Sequence, residues 1–183
     1  MRLKFTPATE ADVAELTALR LRASERLTLM YGWGHWSSRV TERGVRAGLR
    51  NGRALIARRG RKLVGTLTLC KKKQWSIDPS YFTPAVRPLY LINMAVEPGL
   101  QRVGIGRALL EEAARVARAT PADAIRLDAY DDAAGAGGFY ASCGYREVGR
   151  VSYRGVPLIY FESVLPMEPQ ATRTTRKPRR KRT

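Results

Sequence analysis

QRVGIGRA, residues 101–108, sets two glycines, Gly104 and Gly106, two apart, with Arg102 and Arg107 on either side. An apolar run, LYLINMAV (89–96), comes just before it, and Pro98-Gly99 ends that run. A long helical pattern, ALLEEAARVARA (108–119), follows. LYLINMAV is apolar on both faces, which suits a central strand. The helix carries Ile105, Leu109, Ala113 and Val116 on one face. Arg107, Glu111, Arg115 and Arg118 lie on the other, with Glu111 spaced to pair with Arg115. The segment is thus a glycine turn from a central strand into a helix.

A helix N-terminus offers unpaired N–H groups and the positive end of the helix dipole, and together they bind phosphate. Glycine lets the backbone come close to a ligand because no Cβ stands in the way. Three nucleotide ligands compete for such a cradle. A P-loop needs Gly-Lys-Ser/Thr, which does not occur here. A Rossmann fingerprint needs a third glycine where Leu109 stands, and parallel strands upstream, where this chain reads as hairpins. The third is coenzyme A. A plain turn without a ligand is the alternative.

Working outward, RLKFTPA is a short strand, and Thr9 with Asp12 three residues on marks a helix start. Leu16, Leu19, Ala23, Leu27 and Met30 recur at helical spacing until the glycines of YGWGHWS. A second helix runs through SRVTERGVRAGLR to Asn51-Gly52. ALIARRGRKLVGTLTL is a hairpin turning at Arg59-Gly60, and a loop rich in proline and aromatics, KKKQWSIDPSYFTPAVRP, follows. After the glycine-turn helix come a strand, AIRLDAY, and a short glycine-diluted helix in AAGAGGFYASCGY. A last hairpin turns at Arg154-Gly155. The order is β-α-α-β-β-β-α-β-α-β-β, an α/β (α+β) domain over residues 1–166 with its boundary near Pro166.

The formal charge is +17. Residues 169–183, PQATRTTRKPRRKRT, hold seven arginines and lysines and no acid, so seven of those charges lie there and ten in residues 1–168. Residues 167–183 are expected to be a disordered basic tail, either a solvated end or an attraction to an acidic partner such as nucleic acid or the ribosome. No run reaches the roughly 20 apolar residues of a membrane span, and the first residues lack a signal-peptide core. Cys70 and Cys143 lie in apolar surroundings, which predicts reduced thiols and a cytoplasmic location. With His35 the only histidine, no metal site is expected. Oligomeric state, monomer or homodimer, stays open.

Gln101-x-x-Gly104-x-Gly106 after MAVEP, then LDAY, then GFYASCGYREVGR, resemble the coenzyme A motif, following strand and following helix of the GNAT superfamily of N-acetyltransferases. The resemblance covers residues 1–165. It implies a twisted mixed sheet of about seven strands flanked by about four helices, splayed between two parallel strands, with acetyl-CoA in the splay. It implies that Met94, Ala95 and Val96 line the pantetheine arm. Gln101, Arg102, Val103, Gly104, Ile105, Gly106, Arg107 and Ala108 would bind the cofactor, with Arg102 to Arg107 on the pyrophosphate. Tyr140 matches the usual proton donor, and Asp128 falls where some relatives carry a glutamate proposed as base. Relatives often carry an asparagine seven residues before the tyrosine; Ala133 stands there in this chain.

The implied reaction moves an acetyl group to a primary amine. The amine must lose a proton, the carbonyl oxygen gains charge and needs N–H donors, and the leaving thiolate takes a proton. Tyr140 is protonated at neutral pH and can supply that proton. Asp128 shares a strand face with Arg126 and Tyr130, and is either the base or an ion-pair partner of Arg126. Glu97 or an ordered water are the other candidate bases, Glu97 read as facing solvent. Trp33, His35, Trp36 and Tyr81, together with Trp75 and Phe82, form either the acceptor site or a second small core. Aromatics with few acids suit a flat or apolar acceptor better than a polycation, and a small-molecule amine is the expected acceptor; a protein N-terminus, lysine or aminoacyl-tRNA, favoured by the basic charge, is the alternative. A non-catalytic acyl-CoA or nucleic-acid binding module is the alternative from another class.

Overall fold

One mixed sheet of seven strands carries the described residues, 2–37 and 39–166, of this computed structural model. Residues 167–183, and with them the expected disorder and acidic partner of the basic tail, lie outside the described residues. The elements are β1 (Leu3–Pro7), α1 (Val13–Tyr31), α2 (Glu42–Asn51), β2 (Arg53–Arg59), β3 (Lys62–Cys70) and β4 (Pro88–Val96). Then come α3 (Ile105–Ala119), β5 (Ala124–Tyr130), α4 (Gly137–Ser142), β6 (Arg146–Tyr153) and β7 (Val156–Val164). This is the order expected from the sequence, and the sheet runs β1-β2-β3-β4-β5-β7-β6.

Local chemistry sets the boundaries. The Thr9 N–H and hydroxyl both donate to the Asp12 carboxylate, at 2.7 and 2.9 Å, which opens the first helical segment. Gly32, at φ +80°, stops α1. Thr41 caps α2 by accepting from the Gly44 N–H at 3.2 Å, so α2 begins later than its sequence pattern suggested. The glycine-diluted helix shrinks to the six residues of α4. Gly135 sits in a turn so tight that a Cβ there would stand 1.9 Å from the Tyr130 carbonyl oxygen.

The main core lies on one face of the sheet. Ile105, Leu109, Ala113 and Val116 of α3 pack there on Leu55, Leu67, Ile125, Leu127 and Phe161, all buried. Each such side chain contributes about 1.5–3 kcal/mol on burial. Alternate residues point to the opposite face. There Val13, Leu16, Leu19 and Val45 of α1 and α2 cover Ile56 and Leu63, while Ile77 and Phe82 of the loop 71–87 cover Tyr90 and Tyr160. The side chain of Arg126, on this second face, is buried and donates to Glu162 at 3.2 Å. The ion pair with Asp128 that sequence spacing allowed is therefore not made. On α3, Arg115 pairs with Glu112 at 2.6 Å rather than with Glu111.

One pairing positions the site. Among the described residues β4 and β5 are the only parallel neighbours, and they touch over three steps: Pro88 with Ala124, Leu89 with Ile125, Tyr90 with Arg126. Beyond Tyr90, β4 continues on β3 alone and β5 on β7 alone, out to Tyr130 opposite Leu158. The two strands diverge into a wedge whose walls are the C-terminal halves of β4 and β5.

Candidate active site

The glycine turn stands at the wide end of that wedge. Gly104 is the N-cap of α3 at φ +89°, and Arg102 before it is also left-handed at φ +63°. A Cβ on Gly104 would meet nothing within 4 Å, so the backbone is open to an incoming group. Ala108 donates to the Gly104 carbonyl at 3.0 Å. The N–H groups of the turn before it are those a helix start leaves free. The Arg102 side chain is in no ion pair among the described residues, and Val103 is exposed. Arg107 spends its guanidinium on the Ser142 carbonyl at 2.9 Å, which ties α3 to α4. Gly106 also has a packing reason to be glycine: its Cβ would come within 2.9 Å of the Phe139 ring.

Met94, Ala95 and Val96 form the β4 wall. Ala95 and Val96 pair with Thr66 and Gly65 of β3, which leaves the opposite edge of β4 facing the wedge. A bulge lies just before them: β4 takes three steps from Ile92 to Ala95 while β3 takes two from Thr68 to Thr66. The bulge residue Asn93 is left-handed, φ +55°.

Tyr140 enters from α4. Its ring is buried among Phe139, Tyr145 and Phe161, and its hydroxyl reaches the Met94 sulfur at 3.7 Å. Burial pushes the phenol far above its ordinary value, and the negative charge of Asp128 adds to the rise. The group is a protonated donor at every physiological pH. Asp128 belongs to the β5 wall and accepts from the Ser76 hydroxyl at 2.7 Å. Ser76 sits on the loop 71–87, which Tyr160 fastens: its hydroxyl donates to the Ser76 carbonyl and accepts from the Asp78 N–H. A phenol from α4 and a carboxylate from β5 thus lie near the wedge, and the charge of Asp128 is felt at Tyr140.

Glu97 does not face solvent. It is buried and takes a forked hydrogen bond from Arg22 at 3.2 and 2.7 Å, with Lys62 at 3.9 Å. The Arg22 hydrogen bond holds its carboxyl below the ordinary range, so Glu97 clamps α1 to the end of β4 and is a poor base.

The aromatic residues divide. His35 stacks on Tyr130 at 6.3 Å between centroids, Trp36 meets the same ring edge-on at 6.0 Å, and the Tyr130 hydroxyl donates to the His35 carbonyl at 3.2 Å. These three form an aromatic wall at the end of β5, two residues from Asp128. Trp33 is 86 % exposed beside them. Tyr81 packs instead on Tyr160 and lies flat over Gly149, where a Cβ would stand 2.3 Å from its ring. Asn93, Ser76 and Tyr130 were not singled out from the sequence as site residues. An asparagine inside an otherwise apolar strand was the one signal that could have found Asn93. Among the described residues, no three His, Cys, Asp or Glu side chains gather as a metal site requires, and no helix is long and apolar enough to cross a membrane.

The family described as "Acetyltransferase (GNAT) family" matches residues 16–145. No curated protein sequence matches the chain. Three solved structures show the same fold. PaiA N-acetyltransferase from Thermoplasma acidophilum, in complex with coenzyme A, is 14 % identical with TM-score 0.69 over 90 % of this chain and 99 % of its own. Ribosomal-protein-alanine N-acetyltransferase from Brucella melitensis is 21 % identical, TM-score 0.68, over 88 % and 99 %. YncA from Salmonella typhimurium with acetyl-CoA is 18 % identical, TM-score 0.67, over 93 % and 99 %.

Proposed function

The chain belongs to the GNAT acetyltransferase family, and from that premise we propose that it moves the acetyl group of acetyl-CoA to the primary amine of a small molecule. The observation that carries this reading is Tyr140, a buried protonated phenol whose hydroxyl reaches Met94 of the β4 wall and feels the charge of Asp128 on β5.

The residues fit the acyl donor. The open left-handed turn at Arg102–Gly104 and the free N–H groups of the first turn of α3 suit a pyrophosphate. The unpaired edge of β4 past Tyr90 suits an extended arm carrying amides of its own, as a missing strand would. Coenzyme A and acetyl-CoA in two neighbours of the same fold support the assignment.

Each residue then has one task. Asp128 takes the proton that the amine loses as its nitrogen attacks the thioester carbon. Backbone N–H groups at the β4 bulge receive the charge that develops on the carbonyl oxygen. As the carbon–nitrogen bond forms and the carbon–sulfur bond breaks, Tyr140 gives its proton to the leaving sulfur and regains one from solvent. The wall of His35, Trp36 and Tyr130 borders the acceptor, and its flat rings favour an amine with an apolar or aromatic body. A second reading, transfer to a protein N-terminus, is favoured by the Brucella neighbour.

The test is thiol release from acetyl-CoA with phenethylamine, spermidine, an alanine-led peptide and a lysine peptide, each product weighed by mass spectrometry. Turnover with a small amine supports the proposal. Turnover with the alanine-led peptide alone assigns the second reading, and no turnover with any amine rejects both.

A further inference from the structure

A cation lies under the β4 bulge. Arg20 of α1 donates from Nη2 to the Asn93 side-chain oxygen at 2.8 Å. Among the described residues it has no carboxylate within 4 Å. Its neighbours on the same face differ: Arg22 pairs with Glu97, and Arg58 with Asp12 and Glu15. Burial pulls the Arg20 guanidinium below its ordinary value, so its desolvation is uncompensated by any acid. Arg20, Asn93, Thr66, Thr68 and Gly48 line a cavity of about 10 Å³, room for about one water. A leucine or methionine could seat α1 on the sheet without desolvating a charge. Something else keeps an arginine there.

Asn93 supplies the reason. It is the left-handed residue of the bulge, and it stands where β4 has already left β5 and faces the wedge alone. Asparagine tolerates that conformation better than most residues but does not enforce it. The Arg20 guanidinium on α1 holds the Asn93 side chain at that bulge. We propose that Arg20 is a positioning residue for acetyl transfer: through Asn93 it locks the β4 bulge, and so aims the backbone donors that meet the thioester oxygen. The inference rests on the acetyl-transfer reading of the site.

The effect belongs to the transition state, because the donors are needed most where the oxygen is most negative. Arg20→Met should therefore lower kcat by at least about tenfold, less than the loss of a whole donor, while the acetyl-CoA Kd measured by calorimetry changes less than about threefold. Asn93→Ala, which removes the acceptor and disfavours the left-handed turn, should lower kcat similarly, and the double variant should be no worse than either single one. Asn93→Gly adopts the same φ without help. In that background Arg20→Met should cost less than about twofold in kcat.

The assay is thiol release from acetyl-CoA with the best amine of the panel above, and with water as acceptor in parallel. If Arg20→Met fails to fold, the remaining arm is Arg20→Lys, which keeps the charge but loses the fixed fork, and its kcat should recover in the Asn93→Gly background. The inference is overturned if Arg20→Met lowers the melting temperature and leaves kcat intact. It is equally overturned if the two losses multiply, or if the Arg20 effect persists undiminished in Asn93→Gly. If wild type itself turns over no amine, the acetyl-transfer reading has failed instead.

Discussion

Replacing Tyr140 by phenylalanine removes one hydroxyl from a position where almost nothing else depends on it. The ring keeps its contacts with Phe139, Tyr145 and Phe161, at centroid distances of 5.3, 6.0 and 5.8 Å. Among the described residues the hydroxyl itself has only a thioether for a partner, 3.7 Å away. A buried hydroxyl so weakly bonded contributes little to folding, so the variant should match wild type in stability within about 1 kcal/mol. Catalysis should respond differently. Loss of a general acid costs roughly 10²–10⁴ in kcat, about 3–5 kcal/mol of barrier. The pH dependence follows from the direction of the shift. Burial, then the Asp128 charge, raises the phenol above its ordinary value near 10, so Tyr140 is already protonated throughout the neutral and mildly alkaline range. The loss should be the same at every pH from about 6 to about 9. Steady-state thiol release with one good acceptor across that range, with calorimetry for acetyl-CoA and a melting curve on each protein, measures all three quantities. A variant with kcat within threefold of wild type would refute the reasoning. So would an alkaline limb near pH 8 in wild type that disappears in the variant, since the phenol would then be solvated.

The other predictions concern the base, the turn and the buried ion pair. Asp128→Asn keeps an acceptor for Ser76 but removes the charge, so kcat should fall by roughly 10²-fold with acetyl-CoA affinity nearly unchanged, as calorimetry beside the rate assay can check. Gly106→Val should drive a side chain into Phe139 and cost about 1–3 kcal/mol in denaturant unfolding. Glu162→Gln leaves Arg126 buried without its counter-charge and should cost about 3–5 kcal/mol in the same measurement. Burial raises the Glu162 carboxyl, but hydrogen bonds from Thr83, Arg126 and Arg146 outweigh it and hold the group low. Its contribution is therefore present above the unfolded value near 4.3 and should fade as pH falls below it, steepening wild-type acid unfolding relative to the variant.

Strand and helix order were legible because each element carries its own period and its own breaker. LYLINMAV, apolar on both faces, suited a central strand, which β4 is, and the buried face of α3 is the one its spacing marked. The splay was legible only through family resemblance, since nothing in Tyr90 or Arg126 announces that pairing stops there. Local spacing allowed contacts that a distant partner overrode. Arg126 had Asp128 two residues away and took Glu162 instead, because β7 lies beside β5 and brings a buried carboxylate to the same face. Glu97 looked like a strand-end acid, and α1 returns across the sheet to cover it. Gly106 matched a ligand-binding motif and is also constrained by a ring from α4. These are all consequences of long-range packing, which no window of sequence contains.

The most direct test of the account is an acetyl-CoA titration of the isotopically labelled chain, followed residue by residue through its backbone amide shifts. The account predicts saturable binding, with the largest shifts at Val103 to Arg107 and along Asn93 to Val96, and loss of that binding in a folded Gly104→Val variant. Binding that perturbs other segments and spares the turn, or survives in Gly104→Val with unchanged affinity, would contradict it.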